Sequence, residues 1–479
     1  MDRSHLRLVP VIETIPADLH TPLSVYLKLA AGSDNSFLLE SVEGGESLGR
    51  YSFIGADPEM SVRGNASTVT ITNARGEQVL DVPMFDFLRD HFSRVEVDRS
   101  EDLPPLIGGA IGCLGFNTAG WFEPSLENHE TGNDADFMFF RSIVAFDHAR
   151  QLIRIISLAL MSNDVDGEGS TNAAQDRIAS IIRVIETGTL QLPVTASAEP
   201  GGSIESNWSR NEFENAVAEI KELIAAGECY QVVISQCFSR PTKAHPVSIY
   251  RAMRSLNPSP YMFLIKTDQR AVIGASPEML VKCSGSTLEY RPIAGTRPRG
   301  KDPGEDSILA EEMRADVKEV AEHLMLVDLG RNDLGRVAEY GSVVVEGLMS
   351  VEKYSHVQHL VSYLSAKLRT GLDRFDALAA CFPAGTVSGA PKVRAIQIIN
   401  SMEPTPRGLY AGAVGYFDYA GNMDMCIAIR TMVLEGGVAK VQAGAGIVAD
   451  SIPSMEYQET VDKARALLKA IELAEAKGA

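Results

Sequence analysis

Apolar residues recur along this chain with two different periods, and the switches between them outline its elements. Residues 22–31 (PLSVYLKLAA) have helical spacing and predict a short amphipathic helix. Residues 37–55 start apolar, turn at Gly44 and Gly45, and end on Tyr51, Phe53 and Ile54, which predicts strand, turn, strand. Weak alternation over 60–80 predicts strands and 84–94 a helix. The stretch 106–116 is a glycine-rich strand, where glycines permit close backbone approach. Apolar, β-branched runs within 137–160 predict paired strands, and 166–186 turns polar and then helical. Residues 187–207 are rich in Ser, Thr, Pro and Gly, so a boundary is expected near 200, between regions 1–200 and 207–479.

Beyond that boundary Phe213, Val217, Ile220, Leu223 and Ile224 predict a helix over 209–226 that Gly227 ends. A strand at 229–238 follows, then PYMFLIK and AVIGASPEMLVKC as a hairpin-like pair punctuated by Gly274 and Pro277. From 305 to 329, Leu309, Met313, Val317, Val320, Leu324 and Val327 form one stripe and predict one helix closing at 330–333. Glu319 and Glu322 lie one turn apart on its flank. Strands near 342–348 and 354–360 and a helix near 373–380 come next. In the final helix Ala464, Leu467, Leu468 and Ile471 are in register. Ser454 is expected to cap it, with Glu456 and Glu459 near a first turn whose dipole favours negative charge by about 0.3–1 kcal/mol. Two carboxylate pairs on two helices could hold a hard cation, although glutamates three apart are more often a solvated face.

Composition narrows the class. Hydrophobic residues at 45% and charged residues at 22% describe a globular chain with a large core. The 44 basic and 63 acidic side chains give a net charge of −19, which argues against nucleic acid or an anionic membrane as partner. An anionic ligand would need local positive charge to overcome that field. Cys113, Cys229, Cys237, Cys283, Cys381 and Cys426 are scattered, form no CxxC pair, and read as reduced thiols of a cytoplasmic protein. No signal peptide or apolar span long enough for a membrane is expected. Gly112-Cys113-Leu114-Gly115 superficially suggests a nucleophile elbow, but Ile111 stands where such an elbow has glycine, and a buried thiol is the better reading.

Dense Gly, Pro and polar motifs mark the second half: RPIAGTRPRG (291–300), KEVAEHLMLVDLGRND (318–333), YSHVQHLVS (354–362), CFPAGTVSGAPK (381–392), GLYAGAVGYF (408–417) and QAGAGIV (442–448). In this order, over about 207–470, they resemble the chorismate-utilising enzymes. LLES (38–41), GRYSFIG and NPSPYM (257–262) are similar to the large subunits of anthranilate synthases within that family.

The resemblance implies an α+β fold in which two antiparallel sheets pack on each other, flanked by helices. It implies a magnesium-dependent lyase acting on chorismate and ammonia to give anthranilate and pyruvate, with tryptophan as feedback inhibitor. Glu322 and Glu459 match direct Mg²⁺ ligands, and Glu319 and Glu456 match positions that act through water. Tyr410 and Arg430 match the residues holding the enolpyruvyl carboxylate, beside the backbone of Gly444, Ala445 and Gly446. Thr386 matches a hydrogen-bond donor to the ring carboxylate, and His359 the histidine at the departing hydroxyl. His356 reads as structural and His323 as packing. Gln231 stands at the catalytic position where salicylate and isochorismate synthases have a water-activating lysine. Ala294 stands where aminodeoxychorismate synthases have a nucleophilic lysine. Both departures favour direct attack by ammonia. Glu40, Ser41, Pro260, Tyr261 and Met262 match an inhibitor pocket, with a carboxylate and a hydroxyl for the ligand ammonium. The chain has no amidotransferase segment, so the resemblance implies a separate glutamine amidotransferase subunit and a hetero-oligomer. The rival readings are the aminodeoxychorismate synthase large subunit, a non-catalytic tryptophan-binding regulator, and a thiol hydrolase using Cys113.

Overall fold

The computed structural model describes residues 6–41, 49–98, 102–126, 132, 134–161, 167–193, 202–354 and 357–476. The expected turn at Gly44 and Gly45, the middle of the 187–207 linker, and His356 lie outside them. Two large sheets, of 13 and 12 strands, form the body. The second is antiparallel throughout. The first is mixed, because its edge strand Val95–Val97 runs parallel to Leu6–Pro16.

Strand alternation explains the layering. In Ser36–Glu40, Phe37 faces the core between the sheets and Leu38 faces the opposite side of the first sheet. Between the sheets Phe37 packs edge-on to Phe140 at 4.9 Å, and Phe53 meets Tyr416 at 6.2 Å. On the other side, Leu38, Ile54 and Leu264 meet Tyr26, Tyr250 and Leu467 from the helices Pro22–Leu29, Pro246–Leu256 and Pro453–Ala476. No helix among the described residues is long and apolar enough to cross a membrane.

Each sheet takes strands from both regions and joins them at a single pairing. In the first sheet Ser36–Glu40 pairs with Tyr261–Lys266, and in the second Gly109–Leu114 pairs with Ala413–Asp418. Gly109 allows that second joint, since a Cβ there would sit 2.1 Å from the Phe417 carbonyl oxygen.

Four local expectations change. The expected second strand of the hairpin, AVIGASPEMLVKC, is two: Arg270–Ser276 pairs with Tyr261–Lys266 in the first sheet, and Met279–Ser284 belongs to the second. The run 137–146 is two strands: Ala135–Phe140 belongs to the second sheet and Ser142–Asp147 to the first, with Arg141 crossing between them. The stripe over 305–329 is two helices, Pro303–Ala315 and Val317–Gly335, broken at Asp316. Asp316 is extended, and its carboxylate accepts from the Lys318 and Glu319 amides, so it starts a new helix. The buried face then becomes His323, Leu326, Val327, Gly330 and Leu334, while Val317 is 83% exposed. Finally, Ser454 lies inside the helix Pro453–Ala476 rather than capping it, with Glu456 still in the first turn.

Candidate active site and seam cavity

Both cavities begin where strands end or lose their partners. The strand Val438–Ile447 pairs with Gln231–Pro241 along its length, but with Thr431–Glu435 only up to Val441. From Gln442 onward its other edge is free. The Gly444 carbonyl accepts from Lys463 Nζ at 3.0 Å on that side, and its N–H lies along the same edge. Side chains are excluded here: a Cβ on Gly444 would lie 2.6 Å from Tyr410 Oη, and one on Gly446 2.6 Å from Gln231 Nε2.

A cleft of about 370 Å³ opens against this edge. Gln231, Thr386, Tyr410, Arg430, Gly444 and Gly446 line it together with Glu322, Glu456, Glu459 and His359. Two expected residues stand apart. Glu319 is outside the lining and is paired with Arg297 at 3.0 Å. Ala445 also lies outside it, with its side chain buried in the core between the sheets.

Charge is distributed unevenly across the cleft. The Arg430 guanidinium has no ion-pair or hydrogen-bond partner among the described residues, and burial pulls its pKa down. Its backbone has a φ of +50°, unusual for a non-glycine residue. Opposite, the Glu322 carboxyl is raised by burial and then by Glu319 and Glu459. Glu456 is raised by burial and by Glu459, against a lowering hydrogen bond from Ser451. Glu459 is held by Lys463 at 2.6 Å. No three metal-ligating side chains converge into a cage among the described residues. Carboxylates that repel one another and supply one or two direct oxygens fit magnesium, which takes its remaining ligands from substrate and water.

His359 Nδ1 lies 3.1 Å from the Gly295 carbonyl oxygen and 3.0 Å from Thr296 Oγ1. A carbonyl only accepts, so in the neutral ring Nδ1 carries the hydrogen and Nε2 keeps its lone pair. Burial lowers the ring pKa and favours that neutral form. His323 is buried and bonded to Ser362 Oγ at 2.6 Å, as packing requires.

Sequence reasoning missed Glu278. It is buried in the cleft lining, and desolvation pushes its carboxyl up to about 8. Thr386 Oγ1 lies beside it, buried and without a well-oriented hydrogen bond. Gly295, Thr296, Lys318 and Lys463 were missed as well. RPIAGT held the first two in plain view as part of a motif.

The second cavity, also about 370 Å³, lies at the joint between the two regions. Glu40, Ser41, Pro260, Tyr261 and Met262 all line it, with Phe53, Tyr416 and Asp424. The Glu40 carboxylate already accepts from Tyr250 and pairs with Arg254 at 3.3 Å. Ser41 Oγ is buried without a partner. Asp424, unnoticed in the sequence, accepts from Tyr261 Oη at 3.1 Å, and burial pushes its carboxyl up to about 6. Cys113 is a buried strand thiol raised by desolvation to about 11, which removes it as a nucleophile.

The chain matches the model of the chorismate binding enzyme family over residues 34–469. It is 42% identical to anthranilate synthase component 1 of Pseudomonas aeruginosa, covering 98% of this chain and 96% of that one. It is 44% identical to the Aquifex aeolicus protein of that name, covering 98% and 95%. The crystal structure of anthranilate synthase component I from Streptococcus pneumoniae superposes with a TM-score of 0.78 at 34% identity, covering 95% of this chain and 99% of that one. The chain therefore belongs to the chorismate binding enzyme family, in its anthranilate synthase component 1 branch.

Proposed function

We propose that the cleft converts chorismate and ammonia to anthranilate and pyruvate with magnesium, and that the seam cavity binds tryptophan as a feedback inhibitor. The observation that carries the catalytic reading is Arg430: a half-buried guanidinium with no ion-pair partner among the described residues, lining the same cleft as Glu322, Glu456 and Glu459. A dicarboxylate matches both features. One carboxylate would take the Arg430 fork, the Tyr410 hydroxyl and the free strand edge at Gly444 and Gly446. The other would face Thr386 and the glutamate side.

Glu322 and Glu459 would hold the metal directly, and Glu456 through water. Glu319, tied to Arg297, would act only through its charge. A magnesium ion held there would neutralise the ring carboxylate and polarise the ring. Ammonia adds at ring carbon 2, the 4-hydroxyl departs, and elimination of pyruvate leaves the ring aromatic. Glu278 keeps its proton at neutral pH and can give it to the departing hydroxyl. Neutral His359 presents Nε2 as an acceptor that orients that hydroxyl. Gln231 has no titratable proton, so it positions rather than activates a nucleophile. Ala294 lines the cleft and can form no covalent adduct.

Relatives bear the name component 1, which supports a second, glutamine-hydrolysing subunit as the ammonia source; high ammonium would replace it. In the seam cavity the aromatic walls suit an indole, and Asp424 and Ser41 Oγ suit its ammonium. Glu40, already paired with Arg254, would support the pocket without binding the ligand charge.

Purified protein incubated with chorismate, Mg²⁺ and ammonium at mildly alkaline pH should develop anthranilate fluorescence that tryptophan suppresses. A non-aromatic amino product would sink the catalytic reading. Turnover insensitive to tryptophan would sink the inhibitory one.

A further inference from the structure

Behind the Tyr410 wall lies an ion pair that none of the roles above uses. Arg407 and Glu403 are joined at 2.7 Å, with side chains only 1% and 4% exposed. Isolated buried pairs of this kind are weak stabilisers, because desolvating two charges offsets their attraction. The wiring of this pair points to another role. Arg407 Nε and Nη2 both donate to Glu403, the second to Oε1 and the first to Oε2 at 2.9 Å. Nη2 also donates to the Val233 carbonyl at 2.6 Å, and Nη1 to the Val387 carbonyl at 2.7 Å. The guanidinium stands 4.5 Å from the Phe116 ring centroid and 5.4 Å from that of Tyr410.

Glu403 extends the network. Its Oε1 accepts from Ser235 N and Ser235 Oγ, both at 2.8 Å. Ser235 Oγ in turn accepts from Gln442 Nε2 at 2.9 Å. One pair thus ties together four cleft walls: the Gln231 strand, the short helix Gly385–Ser388 that carries Thr386, the Tyr410 ring and the strand that carries Gly444. None of its atoms lines the cleft.

We propose that the Arg407–Glu403 pair is a positioning device that sets the spacing of the carboxylate-binding walls, and so sets affinity for the dicarboxylate substrate rather than the rate of chemistry. A planar fork with fixed donor directions suits that task, and a lysine ammonium cannot reproduce it. Among the described residues, Tyr410 and Cys237 face the pair, and burial raises both of their pKa values.

The inference rests on the reading that the cleft binds chorismate, which turnover by the wild-type chain tests separately. Steady-state kinetics with chorismate, Mg²⁺ and ammonium would compare wild type, Arg407→Lys, Glu403→Gln, Tyr410→Phe and Arg407→Lys/Tyr410→Phe. Arg407→Lys should raise KM for chorismate about tenfold or more while kcat stays within about threefold. The double variant should show less than the product of the single effects, because Arg407 acts through Tyr410. Glu403→Gln should show the same KM-against-kcat split, and it carries the test if Arg407→Lys does not fold. Unchanged KM, a fall in kcat alone, or effects that simply multiply would overturn the proposal. A wild-type chain without turnover would instead overturn the catalytic reading.

Discussion

The cleft and the seam cavity each enclose about 370 Å³, yet they treat charge in opposite ways. In the cleft, Arg430 lacks a counter-ion and Glu322 and Glu456 are crowded by like charge. In the seam cavity, Glu40 is paired with Arg254, Arg50 with Asp147, and Lys282 with Glu289. Charges left unpaired near a surface of few counter-ions favour a ligand that brings the missing ones. A cavity whose charges are mostly settled selects by shape and by a few polar groups, here Asp424 and Ser41. The two sites are also close along the chain. Asp424 and Cys426 line the seam while Arg430 lines the cleft; Lys282 and Ser284 line the seam while Glu278 lines the cleft. Under the proposed function, occupancy of one would shift the other through these short strands.

The contrast can be broken at either end. Glu322→Gln should lower kcat/KM for anthranilate formation on the order of a hundredfold or more. Tryptophan affinity, measured by calorimetry, should stay within about twofold; comparable losses in both would show that the sites are not separable by charge.

Glu278→Gln should slow turnover by about a hundredfold. It should also abolish a fall in wild-type kcat/KM above about pH 8, where Glu278 gives up its proton. The folded-state pKa is raised, so the folded chain holds a proton the unfolded chain releases. Wild-type stability should then fall as pH rises from the usual carboxyl range toward 8, and the variant should lack that slope in denaturant titrations. A slope retained by the variant would place the proton elsewhere.

Asp424→Asn should weaken tryptophan binding about tenfold and leave uninhibited turnover unchanged. In the wild type, tryptophan affinity should decline below about pH 6, where Asp424 becomes neutral. A pH-independent affinity would assign the ligand ammonium to another group. The smallest expected effect is Ser41→Ala: tryptophan affinity two- to fivefold weaker, one hydrogen bond's worth, read by the same titration.

Legibility in the sequence followed from spacing. Helical and strand periods gave most elements, because one-sided burial repeats at fixed intervals. Glu322 and Glu459 were visible because each sits in a pair one turn long, and Tyr410 and Arg430 because they sit in motifs. Glu278 and Asp424 had no such repeat. Each is a single carboxyl, Glu278 in the link between Arg270–Ser276 and Met279–Ser284 and Asp424 in the strand Met423–Ile427, and only burial by distant strands gives it chemistry. The break at Asp316 did leave a signal, since Asp316 and Glu319 have the spacing of a helix start; the apolar stripe running past it was the stronger pattern and misled. Arg141 could not be read as a crossover, because an alternating pattern says which residues are buried and not which sheet buries them.

The single joints that close each sheet bear on synthesis. Once the first 200 residues have left the ribosome, Ser36–Glu40 and Gly109–Leu114 each present an edge whose partner lies far downstream. Translation at roughly 5–20 residues per second leaves the first edge open for about 3–13 seconds after that point, and the second for about 11–44 seconds. Exposed strand edges of that lifetime attract other chains. The emerging polypeptide should therefore depend on chaperone cover until residues 261–266, and then 413–418, arrive to complete the sheets.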